Sequence, residues 1–284
     1  MIGETRQGAA EIVEMFDPAV GRSRGVLRVP PAAGKFRMLR RSPPADLAHC
    51  IAHYWMVSWD LSGQKPHRQE TLPHPNIHVV FEKDNSMVGG VTTGRFTRVL
   101  QGQSHVFGVK FRPGGFHPFL KAPVSSLTNR TIPVNRILGK DVDALEATVV
   151  SSCEEDNMIE AATAFFRLCA PEPDEAIALA SQLVDHILEE PGIKTVDDLV
   201  RRTGIGKRSL QRIFSEYVGI NPKWVIRRYR LHELIERLNS GESMDWAQLA
   251  LELGYFDQAH LINDFRSVIG YSPTHYQSMA GVIP

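Results

Sequence analysis

The sequence predicts an α+β chain of more than one domain, with a β-rich N-terminal part, a helical linker and an all-helical C-terminal part. In the first half, apolar side chains alternate with others in short runs bounded by Gly and Pro, and this period of two is typical of strands. From about Val124 the apolar residues recur at helical spacing. Pro171 and Pro173 then block helix continuation, and the residues beyond them have the pattern of helices joined by short turns.

The strand pattern is carried by three runs, at residues 54–61, 76–82 and 104–111. Glycines between the runs supply turns, so several short strands follow one another and favour a barrel or a sandwich. Just before the first run, residues 45–52 are predicted to form one short helix, because two of their apolar side chains lie four apart.

The linker is predicted from two helical patterns, at residues 141–150 and 157–169. A chain of 284 residues is expected to form about two domains. We therefore divide it into a β-rich domain at 1–124, a helical linker at 125–173 and an all-helical domain at 174–284.

Two segments of the C-terminal part, residues 195–214 and 244–265, share one pattern. Each predicts a short helix, a glycine, an apolar residue and a second helix. Gly204 and Gly254 stand where the chain must leave the first helix in a left-handed conformation, which glycine adopts most readily. The residues expected to fill the angle between the paired helices are Leu199, Leu210, Phe214, Leu249, Leu261 and Phe265. This spacing predicts two helix-turn-helix motifs.

The outward side chains of each second helix are polar. The predicted DNA-binding residues are Lys207, Arg208, Ser209, Gln211 and Arg212 in the first motif and Gln258, His260, Asn263 and Arg266 in the second. A major groove admits an α-helix, and Arg, Gln and Asn have bidentate geometry for guanine or adenine edges. A single hairpin of this kind is equally compatible with a solvated polar face. Two in tandem, each followed by Gly-x-x-Pro, favour double-stranded DNA as the partner.

The charge distribution agrees with a polyanionic partner, although the formal net charge of the chain is zero. Between Arg201 and Arg237 there are ten basic residues and three acidic ones. A local excess of this size forms the basic patch that nucleic acids require. On composition alone, a solvated charged helix face explains it equally well.

The C-terminal third resembles the DNA-binding domain of the AraC family of transcription regulators. The matching stretches are RSLQRIF at 208–214, GINPKW at 219–224, RYRL at 228–231, LGYFD at 253–257 and Phe265 through GYSP at 270–273. The resemblance covers about residues 175–280. It implies seven helices, with the helix at 223–239 as a rigid rod between the motifs, and places both second helices in successive major grooves about one helical turn (~34 Å) apart.

The N-terminal part resembles a domain that precedes this module in a subset of AraC-type regulators. The matching stretches are PHPNIH at 73–78, GGV at 89–91 and FGVKFRPGGF at 107–116. By analogy with other family members, a cupin-like sensing barrel is expected, and this analogy concerns the fold alone.

The second motif departs from the family pattern because it is acidic. From Leu238 onward, Arg266 is set against Glu242, Asp245, Glu252, Asp257 and Asp264. Asn263 also occupies a position where many relatives carry a basic residue. We therefore predict that the first motif supplies most of the affinity for phosphates.

An effector site is predicted in the N-terminal domain. Its candidate residues are Trp55, Trp59, His74, His78, Arg95, Phe107 and Arg112. The aromatic members are also what the core of any small barrel needs. Arg37, Arg40 and Arg98 join Arg95 as candidates for gripping an anionic effector, with solvated surface as the alternative.

No metal or cofactor is predicted. Pro75 breaks the helical spacing that would pair His74 with His78, although His67 and His105 are potential neighbours. The three cysteines form no C-x-x-C pair, which argues against a disulfide framework and a structural zinc site. No Ser/His/Asp set, paired carboxylates or Walker-type loop stands out, so the enzyme class is not favoured.

The sequence thus predicts an effector-responsive, sequence-specific DNA-binding regulator rather than an enzyme. Two alternatives stay open: a metal-binding or enzymatic cupin-like domain fused to a DNA-binding tail, and a regulator controlled by a protein partner. The absence of a long apolar run and the acidic N-terminal segment predict a cytoplasmic protein without a membrane anchor. By family analogy we expect a homodimer, joined through residues 141–169, that activates transcription through RNA polymerase.

Overall fold

The computed structural model describes residues 11–20, 25–27, 34–240 and 244–279. Its strands are β1 (Glu11–Phe16), β2 (Val26–Leu27), β3 (Lys35–Arg41), β4 (Ile51–Leu61), β5 (His67–Thr71), β6 (His78–Phe81), β7 (Met87–Gly89), β8 (Phe96–Leu100), β9 (Gly102–Phe111) and β10 (Thr131–Pro133). Its helices are α1 (His117–Leu120), α2 (Val134–Leu138), α3 (Val142–Ser151), α4 (Glu155–Cys169), α5 (Glu175–Glu189), α6 (Val196–Thr203), α7 (Lys207–Ile213), α8 (Pro222–Ser240), α9 (Trp246–Glu252), α10 (Gln258–Ile269) and α11 (Pro273–Met279). A 3₁₀ turn at Val124–Leu127 and a π-helical turn at Phe214–Val218 complete them.

The strands form two sheets. One has seven strands in the order β1-β3-β4-β9-β6-β7-β10, and the other has three in the order β2-β5-β8. Strand β1 runs parallel to β3, and the remaining pairs are antiparallel. The predicted β-rich domain is confirmed, but within the described ranges β1 and β10 remain the unjoined edges of the large sheet. The domain is therefore a pair of packed sheets and not a closed barrel.

Alternation along the strands gives the large sheet two different faces. The helix-covered face carries buried Tyr54, Phe107 and Phe111, which pack with the apolar sides of α3 and α4. The opposite face, called the inner face below, carries Phe36 and Trp59 and packs against the small sheet through Leu100 of β8. A residue's position in the alternation thus decides whether it supports the fold or lines the space between the sheets.

The linker helices are confirmed as α3 and α4, but the short helix predicted over residues 45–52 is wrong. Residues 45–50 form consecutive turns, and Ile51 already belongs to β4, opposite Phe111. Cys50 and Ile51 are fully buried, so burial in the sheet outweighs the local helical spacing.

Over residues 174–240 and 244–279 the C-terminal part is all-helical, with the seven helices α5–α11 that the family resemblance implies. Helix α8 is a rod of 19 residues, about 28 Å long at 1.5 Å per residue. Its first half joins a core with α5, α6 and α7, and its second half joins another with α9, α10 and α11.

The second core of the helical domain also receives Leu27 of β2 and Leu72, which follows β5. The two domains thus share a continuous apolar contact along α8. The three cysteines are unbridged. Within the part of the chain that the structure describes, every helix is too short or too polar to cross a lipid bilayer.

Candidate nucleic-acid interface

The first motif is built from α6 and α7. Thr195 and Asp198 form a reciprocal capping box at the start of α6, which satisfies two of the unpaired backbone N–H groups there. Gly204 ends the helix with a φ of 71°, the left-handed conformation predicted for it. Leu210 and Phe214 are fully buried with Leu199 in the angle between the helices, so this predicted core is confirmed.

The second motif repeats the arrangement with α9 and α10. Asp245 and Asp257 cap the two helices by accepting hydrogen bonds from backbone N–H groups of the first turn. Gly254 lies between them with a φ of 76°. Leu261 and Phe265 are fully buried and pack in one core with Leu249, as the sequence predicts.

The polar faces of α7 and α10 are open to solvent. The predicted DNA-binding residues are all exposed, namely Lys207, Arg208, Ser209, Gln211, Arg212, Gln258, His260, Asn263 and Arg266. Lys207 forms an exposed ion pair with Asp197, with Nζ 2.7 Å from Oδ1. Such a pair is weak and can yield to a phosphate.

Direct contacts hold the two motifs to each other. Arg230 of α8 donates to the carbonyl oxygen of Lys194, before α6, at 2.7 Å and to that of Gly254 at 3.2 Å. The Nζ of Lys194 donates to the carbonyl oxygen of Leu251. A Cβ at Gly254 would lie 2.8 Å from the side chain of Lys194, so glycine is required there for close approach as well as for its positive φ. The motifs are therefore joined by direct contacts as well as through α8.

The acids of the second motif have structural partners. Besides the two caps, Glu252 pairs with Arg237 of α8 at 2.8 Å. Asp264 accepts hydrogen bonds from Nε of Arg227 at 2.6 Å and from the Tyr255 hydroxyl at 2.7 Å. Burial, helped by the Asp264 carboxylate, raises the pKa of Tyr255 far above its usual range, so that phenol remains a donor. The number of acidic residues in the second motif thus overstates the electrostatic repulsion between this motif and DNA. Glu242, the fifth of these acids, lies outside the described residues.

The contact between the domains, called the interdomain seam below, is centred on two arginines. Arg228 of α8 is 2% exposed, donates to the carbonyl oxygens of Thr93 at 2.5 Å and Gly94 at 3.5 Å, and stacks on Trp224. Arg95, just before β8, donates to the carbonyl oxygen of Ile269 at 2.6 Å, the last residue of α10. A cation at a helix C-terminus stabilises that end of the helix dipole.

The seam extends to the first motif. His117 of α1 lies 2.9 Å from Glu216, and Ser125 is hydrogen-bonded to Ser215 at 3.2 Å. Thr128 donates to the carbonyl oxygen of Gly219. The N-terminal domain therefore touches the chain just behind both exposed helices.

The structure does not bring the seven predicted effector residues together. Trp55, Trp59 and His78 share the inner face, with Nε1 of Trp55 donating to Nδ1 of His78 at 3.1 Å. The other four lie elsewhere: Phe107 in the helix-covered core, Arg95 in the seam, Arg112 donating to the carbonyl oxygen of Ala48, and His74 edge-to-face with His232 of α8. Alternation correctly separates the two faces, but loop residues need tertiary information to be placed.

The two histidines that are four apart diverge. His74 faces α8, whereas His78 faces Trp55. Across the described ranges, no group of three or more His, Cys, Asp or Glu side chains is arranged to hold a metal ion.

Lys110 and His53, which lie opposite each other on β9 and β4, are not among the residues predicted from the sequence. The structural roles of Arg228 and Arg230 are not predicted either. Val106, Gly108 and Lys110 alternate on one face of β9, and this pattern in the sequence could have placed Lys110 on the inner face. Arg228 and Arg230 carry no local signal that separates them from DNA-binding arginines.

Two helix-turn-helix units on one rod, each with an exposed polar second helix, define a DNA-binding regulator. Residues 199–279 match the family model described as a helix-turn-helix domain, and residues 39–133 match a domain of unknown function (DUF6597). The chain thus carries a C-terminal helix-turn-helix domain, preceded by that N-terminal domain.

Three solved structures resemble this chain at low sequence identity and low TM-score. A transcriptional regulator with an AraC-type DNA-binding domain from Chromobacterium violaceum is 21% identical and covers 38% of this chain and 99% of its own, with a TM-score of 0.32. ToxT from Vibrio cholerae O395 is 12% identical and covers 91% of this chain and 97% of its own, with a TM-score of 0.38. Wild-type ToxT bound to an unsaturated fatty acid, from strain SCE256, gives the same identity and TM-score, with 91% and 98% covered. No curated protein matches the chain significantly.

Proposed function

We propose that this protein is a sequence-specific transcription regulator whose DNA-binding domain is controlled by a small-molecule effector at the N-terminal domain. The observation that carries the proposal is the pair of solvent-exposed polar helices, α7 and α10, at the two ends of α8. A rod of about 28 Å is comparable with the ~34 Å repeat of B-DNA, so the two helices suit successive major grooves.

The first motif supplies most of the phosphate affinity in this proposal. Lys207, Arg208 and Arg212 are exposed on α7, whereas Arg266 is the exposed cation of α10. The amides of Gln258 and Asn263 then contribute base selection, because an amide side chain pairs bidentately with adenine.

Effector control acts through the interdomain seam. Because the N-terminal domain holds the carbonyl end of α10 through Arg95 and contacts the π-helical turn after α7, a change within it alters the relative position of the two motifs. Coupling of this kind requires two arrangements of the seam that differ in effector affinity.

The domain limits at 1–124, 125–173 and 174–284 belong to this proposal, as do a cytoplasmic location, activation through RNA polymerase and a homodimer. The apolar sides of α3 and α4 already pack on the large sheet of their own chain. A dimer through these helices must therefore use their outer surface, where Leu168 is 90% exposed. Light scattering of the full chain, with Leu168→Glu as the variant, tests this contact.

Selection of bound DNA from a random pool tests the proposed function. The full chain is used, because the helical domain shares its second core with Leu27 and Leu72. We expect an enriched motif with two conserved blocks about one helical turn apart. A variant carrying both Arg208→Ala and Gln211→Ala is expected to lose one block, because the two changes remove base contacts from α7 alone. Recovery of no motif above bulk competitor at moderate salt would contradict the proposal.

Replacing Arg230 with Leu is expected to weaken binding to the selected site about tenfold without removing a DNA contact. The substitution breaks the hydrogen bonds that join Lys194 to Gly254, so ordering the motifs on DNA costs more conformational entropy. Anisotropy titrations with the whole site and with a single block measure the effect. Binding to the single block is expected to change little, and an equal loss on both fragments would show that Arg230 acts on DNA directly.

A further inference from the structure

The inner face of the large sheet carries a group of basic residues, called the basic cluster below: Arg40, His53, His78 and Lys110. Lys110 of β9 lies directly between His53 of β4 and His78 of β6. Arg40 of β3 lies one step away, opposite Trp55. Opposite residues of antiparallel strands have Cβ atoms about 5 Å apart, so these side chains meet on one surface.

Tight packing fixes the position of the Trp55 ring beside the cluster. A Cβ at Gly108 would lie 2.1 Å from Cε2 of Trp55, so the indole ring lies flat on the backbone of β9. The indole N–H donates to Nδ1 of His78, and indole nitrogen is a donor only. His78 therefore carries its proton on Nε2, and that N–H is the donor of the ring.

The surroundings of Lys110 disfavour its charged form. Burial lowers the pKa of His53 to about 2 and that of His78 to about 3, so both rings are neutral donors at neutral pH. Burial, followed by the charge of Arg40, lowers the pKa of Lys110 to about 7. Glu14 of β1 acts on Arg40, whereas the charged neighbour of Lys110 is that cation itself. Like charges that share one surface destabilise a sheet unless a counter-charge binds.

An apolar strip continues from the cluster along the same face. It consists of Phe36 and Met38 of β3 and Trp55, Val57 and Trp59 of β4. Met38, Trp55 and Val57 are half-buried, like Lys110 and His78, so solvent reaches the junction of the strip and the cluster. Toward Trp59 the small sheet covers the strip through Leu100.

We propose that the basic cluster and the apolar strip together bind a small organic anion, with its carboxylate or phosphate head at Lys110 and Arg40. Its apolar body lies along Trp55 and Val57. This inference rests on the proposed function, since the anion is then the effector. Charge complementarity supports this site, because Lys110 and Arg40 share the inner face with two neutral histidines at the end of an apolar surface. Cations and neutral N–H donors on one surface form a donor set suited to an anionic oxygen.

The same location connects the ligand to the helical domain. His78 lies opposite Gly89, the last residue of β7. The segment after β7 carries Thr93 and Gly94, whose carbonyl oxygens hold Arg228 in the seam. A ligand that shifts β6 and β7 therefore acts on the seam through one short segment.

Binding is tested on the full chain without DNA, by calorimetry with octanoate, octyl phosphate and the neutral octanamide as probes. We expect the preferred anion to bind about tenfold or more tightly than octanamide and to raise the melting temperature. The two anionic probes distinguish a carboxylate from a phosphate ligand. Equal binding of the amide and both anions, or binding of none of them, would overturn the proposal.

Substitutions at Lys110 locate the site. Lys110→Met is expected to weaken binding of the preferred anion about tenfold or more, whereas Lys110→Arg retains it. Lys83→Met, at an exposed lysine outside the cluster, is the matched control and should bind like the wild type. At about pH 6 the ligand-free Lys110→Met variant should melt higher than the wild type, because a buried cation is removed. If that folded variant binds the anion with unchanged affinity, the assignment is wrong.

The pH dependence adds a readout that a structural role for Lys110 would not give. Affinity for the anion should fall as pH rises through about 7 in the wild type, since Lys110 loses its proton there. Arg40 stays charged and the two histidines stay neutral over this range, so Lys110→Arg should remove the dependence. Since DNA is absent from these measurements, failure here leaves the selected DNA motif standing, and failure of the DNA selection leaves the anion site standing.

Discussion

Reversing the charge of Arg212, by Arg212→Glu, is expected to weaken binding to the selected DNA fragment about 100-fold or more at physiological salt. The side chain lies on the exposed face of α7, in the region with the greatest basic excess. The substitution removes a phosphate or guanine contact and adds a carboxylate facing the same polyanion. Both effects act in one direction, so the loss exceeds that of a neutral truncation.

The matched variant is Asn263→Glu on α10, which also introduces a carboxylate at an exposed position. We expect a loss of about tenfold or less there, because an amide carries no phosphate affinity of its own. Anisotropy titrations over a salt series measure both affinity and slope, and Arg212→Glu should also flatten the salt dependence. Arg136→Glu, at an exposed arginine of α2, is the control for net charge. Equal losses of affinity at Arg212 and Asn263 would contradict the proposal that the first motif supplies most of the phosphate affinity.

Replacing Arg228 with Met is expected to lower the free energy of unfolding by about 3 kcal/mol, because it removes charge-assisted hydrogen bonds made by a side chain that is itself buried. Arg228 is buried in the interdomain seam, and burial lowers the pKa of its guanidinium to about 9. It stays charged at neutral pH and its hydrogen bonds end on the backbone of Thr93 and Gly94. Methionine fills part of the volume over Trp224 but donates no hydrogen bond.

Urea denaturation of the full chain measures this loss, with Arg237→Met as the control on the same helix. Arg237 forms ion pairs on the surface of α8, and such pairs contribute about 1 kcal/mol or less. Limited proteolysis adds a second readout, because a loosened seam should expose the segment around Thr93. Similar losses for both variants would show that the seam contributes little to stability.

Local chemistry explains why the helix-turn-helix motifs can be predicted from the sequence. The positive φ of Gly204 and Gly254 and the burial of Leu210 and Leu261 depend on neighbours within about twenty residues. Alternation likewise locates β4 and β9 and separates Trp55 from Phe107. These features follow from spacing, which a single sequence displays directly.

The rest depends on contacts between distant segments. Lys110 follows from alternation as an inner-face residue, but the titratable groups around it come from three other strands. Arg228 and Arg95 have the composition of DNA-binding residues, yet their hydrogen bonds lie in the seam. At residues 45–50 the apolar spacing predicts a helix, but the residues form turns because burial beside a strand outweighs the local pattern.

The packing of Leu27 and Leu72 against Leu231 and Leu234 of α8 has a consequence for chimeric regulators. A chimera that joins the helical half of this protein to a foreign sensor domain would expose the apolar residues of α8 that Leu27 and Leu72 cover, and it would aggregate. A functional hybrid must therefore transplant the segments that carry the two leucines together with the DNA-binding half, because the contact between the halves lies in these segments and not in the linker.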